Sequence, residues 1–155
     1  MWGWLRRLFA GPPPLARGLI LQRVVYELFD WEADAPAEGP GRWYDELHGQ
    51  VRLEGADGDR LYLSWAWGQD QPDYFIDHSP DSFFTGPLPA ERDVTGSPAW
   101  QPLVGRPVTV GHRDGRRQVI EVRAGDEVVY CCSFQCDRVF IMQELRVPGR
   151  ERAEP

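Results

Sequence analysis

A chain of 155 residues with a net charge of −7 and 42% hydrophobic residues has the size and composition of one acidic globular domain. The acidic balance disfavours binding to nucleic acid, because contacts with phosphates require a basic face. Lysine and asparagine are absent, which excludes lysine-dependent catalysis and indicates a GC-rich bacterial genome.

The first fourteen residues, MWGWLRRLFAGPPP, form an aromatic and basic segment that ends in a proline run. Arg6 and Arg7 interrupt its apolar stretch, so neither a secretory signal nor a membrane span is predicted. Two interpretations stay open: a short interfacial helix, or a helical turn whose aromatic side chains pack on the domain, which we favour. Because three cysteines do not suit a secreted disulfide framework, we expect a cytoplasmic protein.

Residues 15–148 read as a single β-rich domain, followed by a tail at 149–155 that carries no packing signal and should fray. The stretch GLILQRVVYELFDWE favours a long strand, although its apolar pattern also permits a helix. Gln50–Glu54 and Arg60–Trp67 flank Gly58 and predict a hairpin. A short strand, Asp73–Asp77, follows the loop GQDQP.

The middle of the chain is dense in proline and glycine, and Ser97 followed by Pro98 predicts a helical turn with Ser97 as its N-cap. The last third predicts four strands, PVTVGH, RQVIEVRA, EVVYCC and DRVFIMQELRV, with tight turns at Asp114-Gly115 and Gly125-Asp126. We therefore predict a mainly β fold: an antiparallel, meander-like sheet of about seven or eight strands, sandwich or partial barrel, with little helix.

All three cysteines lie in the stretch VVYCCSFQC, as Cys131, Cys132 and Cys136. A structural zinc site needs four ligands, usually in two short-spaced pairs, and no second pair exists. A turn between Cys132 and Cys136 would permit a strained disulfide or a redox pair. We favour a core hairpin that uses cysteine as a small apolar residue, since free cysteine is among the most buried residue types.

Asp77, His78 and Ser79 supply the residue types of a hydrolase triad, but neighbouring residues of a strand point to opposite faces. A nucleophile-elbow motif is absent, as are the glycine-rich phosphate loops. The sequence therefore predicts no catalytic site, no cofactor and no metal, and the protein is expected not to be an enzyme.

Two stretches combine carboxylates with large aromatic residues, a composition that suits contact with a basic protein. In the first, the candidate binding residues are Trp67, Asp70, Asp73, Tyr74 and Asp77. The second, FDWEADAPAEGPGRWYDELHG, begins around Trp31, and its candidates are Trp43, Asp45 and Glu46, with Tyr44 between them. The two stretches could share one face or lie on opposite sides of the sheet.

Three functions follow from these observations. The first is a module that binds a basic protein; in general character a small acidic bacterial domain without a catalytic motif resembles an immunity protein, which neutralises a toxin by occluding its active site. The second is an accessory subunit of a larger protein assembly. The third is a small enzyme or ligand-binding β-barrel that uses Asp77, His78 or a cysteine. We favour the first.

Overall fold

The computed structural model describes residues 16–34, 43–67, 74–134 and 137–146, so the N-terminal segment and the C-terminal tail lie outside it. Within these ranges, ten antiparallel strands and two short 3₁₀ turns confirm the prediction of a mainly β fold with little helix. The strands are β1 (Ala16–Leu28), β2 (Tyr44–Leu47), β3 (Gln50–Gly55), β4 (Arg60–Trp67), β5 (Tyr74–Ser79), β6 (Ala90–Asp93), β7 (Pro107–Arg113), β8 (Arg116–Ala124), β9 (Glu127–Cys132) and β10 (Val139–Met142), and the 3₁₀ turns are Asp30–Glu32 and Gln101–Leu103.

The long first strand joins two layers of the sheet. The strand order is β2-β10-β9-β8-β7-β1-β3-β4-β5, with β6 paired to β1 beside that path. The first residues of β1 pair with β7, where Ala16 lies opposite Val110, and its later residues pair with β3 and β6. We call β2, β7, β8, β9 and β10 the β7 layer, and β3, β4, β5 and β6 the β3 layer.

Both layers contribute to one hydrophobic core, as a sandwich or partial barrel requires. In β1 the register shifts between Leu21 and Arg23, and this irregularity lets Leu21 and Val24 both face the core despite their odd spacing. The core then takes alternate residues from each layer, among them Leu53, Leu63 and Ile76 from the β3 layer and Ile120, Val129 and Ile141 from the β7 layer.

The strand at the far end of the order, β5, is tied to the β7 layer by side chains. His112 Nε2 lies 2.7 Å from the carbonyl oxygen of Ile76, and because a carbonyl only accepts, this nitrogen carries the proton. The Arg117 guanidinium lies over the Phe75 ring, 4.1 Å from its centroid. These contacts join the two layers on the side opposite β1.

The predicted hairpins are confirmed by the backbone conformation at their turns. Asp114 and Gly115, between β7 and β8, both have positive φ, at 48° and 70°. That combination matches the right-handed twist of the two flanking strands, which explains why an Asp-Gly pair occupies the turn.

Two strands, β2 and β6, were not predicted from the sequence. Their sequences, YDEL and AERD, are charged and show no clear apolar alternation, so they read as loops. Both form because a partner from a distant part of the chain supplies their backbone hydrogen bonds: β10 pairs with β2, and β1 pairs with β6. Pairing of this kind is not visible in local sequence.

The helical turn predicted at Ser97 lies slightly further along the chain, because the 3₁₀ turn has Trp100 at its N-cap position. The Ser97 carbonyl accepts hydrogen bonds from the N–H groups of Trp100 and Gln101. Among the described residues, the buried Ser97 hydroxyl finds no partner, so it is the backbone of Ser97 that starts the turn.

Candidate protein-binding surface

The first acidic-aromatic stretch lies at the end of the β3 layer. Asp70 and Asp73 fall outside the described residues. Trp67 and Tyr74 are backbone partners at the ends of β4 and β5, and their side chains also lie outside the description. Asp77 is half-buried, and its Oδ1 accepts a hydrogen bond of 2.8 Å from the backbone N–H of His78. The described carboxylate of this stretch thus contacts its own strand.

The second stretch is divided between the two faces of β2. Asp45 turns toward the core, where its Oδ2 accepts a hydrogen bond of 2.7 Å from the Tyr26 hydroxyl. Glu46 turns away from the core, and its Oε1 accepts one of 2.7 Å from Arg138. The alternation of a strand therefore prevents these two carboxylates from sharing one acidic face.

Trp43 and Tyr44 pack against apolar side chains on the face of the β7 layer that points away from the main core. Their rings meet edge to face with centroids 4.9 Å apart, and both side chains are half-buried. Because β2 and β5 stand at opposite ends of the strand order, the β2 candidates of the second stretch and the β5 candidates of the first lie on different edges of the sheet.

Asp77 and His78 face opposite sides of β5, as the strand period requires. His78 is buried, and its ring centroid lies 6.1 Å from that of His112 inside the fold. Asp77 lies in register with Ser64, and His78 with Leu63, so the carboxylate and the imidazole are not directed toward each other.

Cys131 and Cys132 are free and buried on β9, in register with Ile141 and Phe140 of β10, as expected for cysteines used as small apolar residues of a hairpin. Cys131 faces the main core, whereas Cys132 lies on the opposite face of the strand. Burial raises the pKa of Cys131 well above its usual range, and burial raises the pKa of Cys132 to about 12, against an opposing effect of Arg113. Such thiols stay protonated and are poor nucleophiles. Cys136 lies outside the described residues, among which no group of three or more metal-ligating side chains is found.

The most exposed large apolar side chain in the described part of the chain is Trp31, in the 3₁₀ turn after β1, with 65% of its surface accessible. Its ring is parallel to that of Phe29 within 4°, with centroids 6.1 Å apart. On the β2–β3 turn, His48 places its imidazole edge-on to the indole with centroids 4.4 Å apart. An aromatic side chain exposed to water is thus held in place by two neighbouring rings.

A buried carboxylate fixes the backbone beneath Trp31. Glu32 Oε1 accepts hydrogen bonds from the N–H groups of Phe29 and Gly49, at 3.0 and 3.2 Å. Its Oε2 accepts from the backbone N–H of His48 at 2.8 Å and contacts His48 Nδ1 at 3.1 Å. The Glu32 side chain therefore connects the 3₁₀ turn to the β2–β3 turn. These hydrogen bonds fix the backbone position of Trp31.

The aromatic group continues beyond Trp31. Phe84 meets Phe29 edge to face with centroids 5.5 Å apart, and Trp65 meets Phe84 at 6.5 Å. Trp65 Nε1 donates to the carbonyl oxygen of His48 at 2.8 Å, which satisfies its polar atom. We call the five residues Phe29, Trp31, His48, Trp65 and Phe84 the Trp31 surface.

Trp31 belongs to the second stretch but is not among the binding residues predicted from the sequence. The available signal was the short sequence FDWE, an aromatic pair around an aspartate with a glutamate after it. Trp31 is exposed, whereas Trp43 is half-buried. The exposure of Trp31 depends on how the 3₁₀ turn packs against the β2–β3 turn. Asp30, the residue before Trp31 in sequence, is exposed as well.

Comparison of the chain with family models, with curated proteins and with solved structures found no match in any of the three. In the described part of the chain, no helix combines the length and the apolar character that a membrane span requires.

Proposed function

We propose that this protein is a binding module that holds a basic protein partner on the Trp31 surface. The observation that carries the proposal is the 65% exposure of an indole whose position is set by Phe29, His48 and the Glu32 hydrogen bonds. A pre-positioned tryptophan offers a large contact area and loses little conformational freedom on binding, and tryptophan is enriched at interface hot spots.

Charge supports a basic partner. The chain carries a net charge of −7, and Asp30, the residue before Trp31 in sequence, is exposed. An arginine or lysine of the partner would find both an aromatic face and a carboxylate there. Opposite net charges also accelerate association, and this contribution weakens as salt is added. Binding is therefore expected to be slower at high ionic strength.

Two finer forms of the proposal use the same surface. An immunity-type inhibitor would occlude the active site of its partner, whereas an accessory subunit would bind without lowering the partner's activity. An activity assay of the partner, with and without this protein, separates the two. The third function, a small enzyme or ligand-binding barrel that uses Asp77, His78 or a cysteine, would instead leave a small molecule bound in native mass spectrometry.

The test compares tagged variants of the full chain in capture experiments followed by mass spectrometry. Trp31→Ala should lose a stoichiometric basic protein that the wild type captures. Ile20→Ala is the matched control, because Ile20 is also a large exposed apolar residue, at 45%. Ile20→Ala should keep the partner. Both melting temperatures should stay within a few degrees of the wild type, since exposed substitutions usually cost less than about 0.5 kcal/mol.

A second pair of substitutions tests the first acidic-aromatic stretch, Asp70→Arg together with Asp73→Arg. Loss of capture in this variant, with Trp31→Ala still binding, would move the binding site to the β4–β5 end of the β3 layer. Equal capture by the wild type and Trp31→Ala would contradict the proposal for the Trp31 surface.

A further inference from the structure

A second cluster of apolar side chains lies outside the main core, on the outer face of the β7 layer. Strand register places Val119, Cys132 and Phe140 in one row across β8, β9 and β10, and Tyr130 opposite Met142 in the next. We call the whole group the outer cluster: Val119, Cys132, Phe140 and Met142, packed with Trp43, Tyr44, Tyr130, Phe134 and Leu145.

The centre of the outer cluster is buried, and only its surrounding side chains are partly accessible. Trp43, Tyr44, Tyr130, Phe134 and Leu145 are all half-buried, so each keeps some apolar surface accessible. Arginines lie across two of the rings, Arg113 over Tyr130 and Arg146 over Trp43, each 5.5 Å from the ring centroid. The partly accessible rings at the rim of the cluster offer apolar surface that another segment could cover.

The beginning of β1 lies within reach of this face. Ala16 pairs antiparallel with Val110 of β7, three residues before the end of that strand at the β7–β8 turn. Val119, a residue of the outer cluster, lies near that turn in the first half of β8. From β1 to β9 the sheet is three strand spacings wide, roughly 14 Å. Fifteen residues span up to roughly 50 Å, so they reach the cluster easily.

The composition of residues 1–15 complements the outer cluster. This short segment contains Trp2, Trp4, Leu5, Leu8 and Phe9. Because the segment is covalently attached beside the β7 layer, its association with the face is intramolecular, and short linkers typically give effective concentrations on the order of millimolar. An apolar segment and a partly exposed apolar face, held within reach of each other, reduce their contact with water by associating.

We propose that the segment Met1–Leu15 docks on the outer cluster and covers it. The docked segment lies across β8, β9 and β10, with Leu8 and Phe9 against the half-buried rings. This contact is independent of the Trp31 surface and holds whether or not a partner binds there.

Disulfide trapping in the full chain tests the contact. Leu8→Cys is combined with Leu145→Cys, in a Cys136→Ser background, and the chain is oxidised at low concentration. The matched control joins Leu8→Cys to Asp30→Cys, because Asp30 follows the opposite end of β1. Peptide mapping of the oxidised monomer should show an intrachain bond in the first pair at least tenfold more often than in the control.

A double-mutant cycle measures the same contact without requiring bond geometry. Phe9→Ser and Trp43→Ser should each lower the urea midpoint, and their effects should be less than additive because both remove one contact. Additive effects together with equal trapping in the two cysteine pairs would overturn the proposal. Disulfide-linked dimers in place of the intrachain bond would also overturn it, since they assign the outer cluster to a second copy of the chain.

Discussion

The hydroxyl of Tyr26 and the carboxylate of Asp45 are joined by a hydrogen bond of 2.7 Å that links the part of β1 paired with β3 to β2 of the β7 layer. Trp100 donates from Nε1 to the same hydroxyl at 2.9 Å. Tyr26 and Trp100 are almost fully buried, so the three polar groups satisfy one another away from water. Asp45, which the sequence suggested for an interface, is half of this link.

Tyr26→Phe is expected to destabilise the protein by about 1–3 kcal/mol, because it leaves the buried indole N–H of Trp100 without its acceptor. Urea denaturation measures the loss. Asp45→Asn is the matched control: it removes the charge but keeps an acceptor for the Tyr26 hydroxyl, so it should cost less. A loss on Asp45→Asn equal to that on Tyr26→Phe would assign the stabilisation to the charge of Asp45.

Arg52 is the centre of a buried ion-pair group on the side of the β3 layer away from the core. Its guanidinium contacts Glu27 and lies 2.9 Å from Glu91 and 2.8 Å from Glu54. Arg52→Met should destabilise the protein by about 3–5 kcal/mol, because Glu27 would then keep a buried charge without its partner. The loss is read from the urea midpoint.

Two further variants separate charge from packing at Arg52. Arg52→Met combined with Glu27→Gln should recover part of the loss, since the unpaired charge disappears. Arg60→Met should cost less than about 0.5 kcal/mol, because Arg60 is exposed and lies 3.9 Å from Glu54. No recovery in the double variant would show that the packing of the arginine, and not its charge, stabilises the layer.

The free energy of unfolding is expected to decrease at alkaline pH because the fold buries a tyrosine hydroxyl and a cysteine thiol in their protonated forms. Burial and the nearby charge of Asp45 raise the pKa of Tyr26 well above its ordinary value of 10.0, and burial raises the pKa of Cys132 from 9.0 to about 12. The unfolded chain therefore releases these protons first. The stabilisation is complete below about pH 9 and is lost as the pH rises toward 12.

Urea unfolding at several pH values between about 8 and 11 checks this slope, which is about 1.4 kcal/mol per pH unit for each group held protonated. Cys132→Ala should show a shallower alkaline slope than the wild type. Cys132→Ser should be less stable than Cys132→Ala at neutral pH, because it buries a hydroxyl in the outer cluster. An unchanged slope in Cys132→Ala would exclude this thiol as a contributor.

The acid side of the stability profile is expected to depend on Asp93. Hydrogen bonds from Thr95 and from Arg23 lower the pKa of Asp93 from 3.8 to about 2. Its stabilising effect is present above pH 3.8 and is lost as the pH falls through about 2. Since Asp93 is half exposed, the effect is small, and NMR titration of the carboxyl carbon is the direct measurement.

Arg23→Gln should raise the pKa of Asp93 only in part, because both hydrogen bonds from Thr95 remain. Asp93→Asn should make the pH dependence of stability in this window shallower, whereas the lowered pKa of Glu91 continues to contribute. A pKa of Asp93 that is unchanged in Arg23→Gln would mean that Thr95 alone sets its acidity.

The strands that local sequence could predict are those with their own turns and alternation. The β7–β8 hairpin follows from Asp114-Gly115, and the buried cysteines follow from the apolar strands around them. By contrast, β2 and β6 depend on partners more than sixty residues away in sequence, β10 and β1. The sequence of a charged four-residue strand does not indicate which distant strand it pairs with.

The candidate surface was only partly predictable, for a related reason. The composition of the second stretch indicated an aromatic contact, but it did not separate the inward Asp45 from the exposed Trp31. Their difference arises from strand alternation in β2 and from the Glu32 hydrogen bonds that hold the 3₁₀ turn against the β2–β3 turn. Both depend on tertiary pairing, and neither is visible in composition.

The pairing of β1 also constrains the order in which the protein can fold. Ala16 pairs with Val110 and Leu47 with Val139. Residues near the beginning of the described chain therefore pair with residues more than ninety positions later in the sequence. Loops of that length close slowly, and high contact order lowers folding rates. During synthesis, β1 and β2 therefore emerge long before β7 and β10 exist to pair with them. The edges of these strands stay unpaired during this interval, and unpaired strand edges favour aggregation.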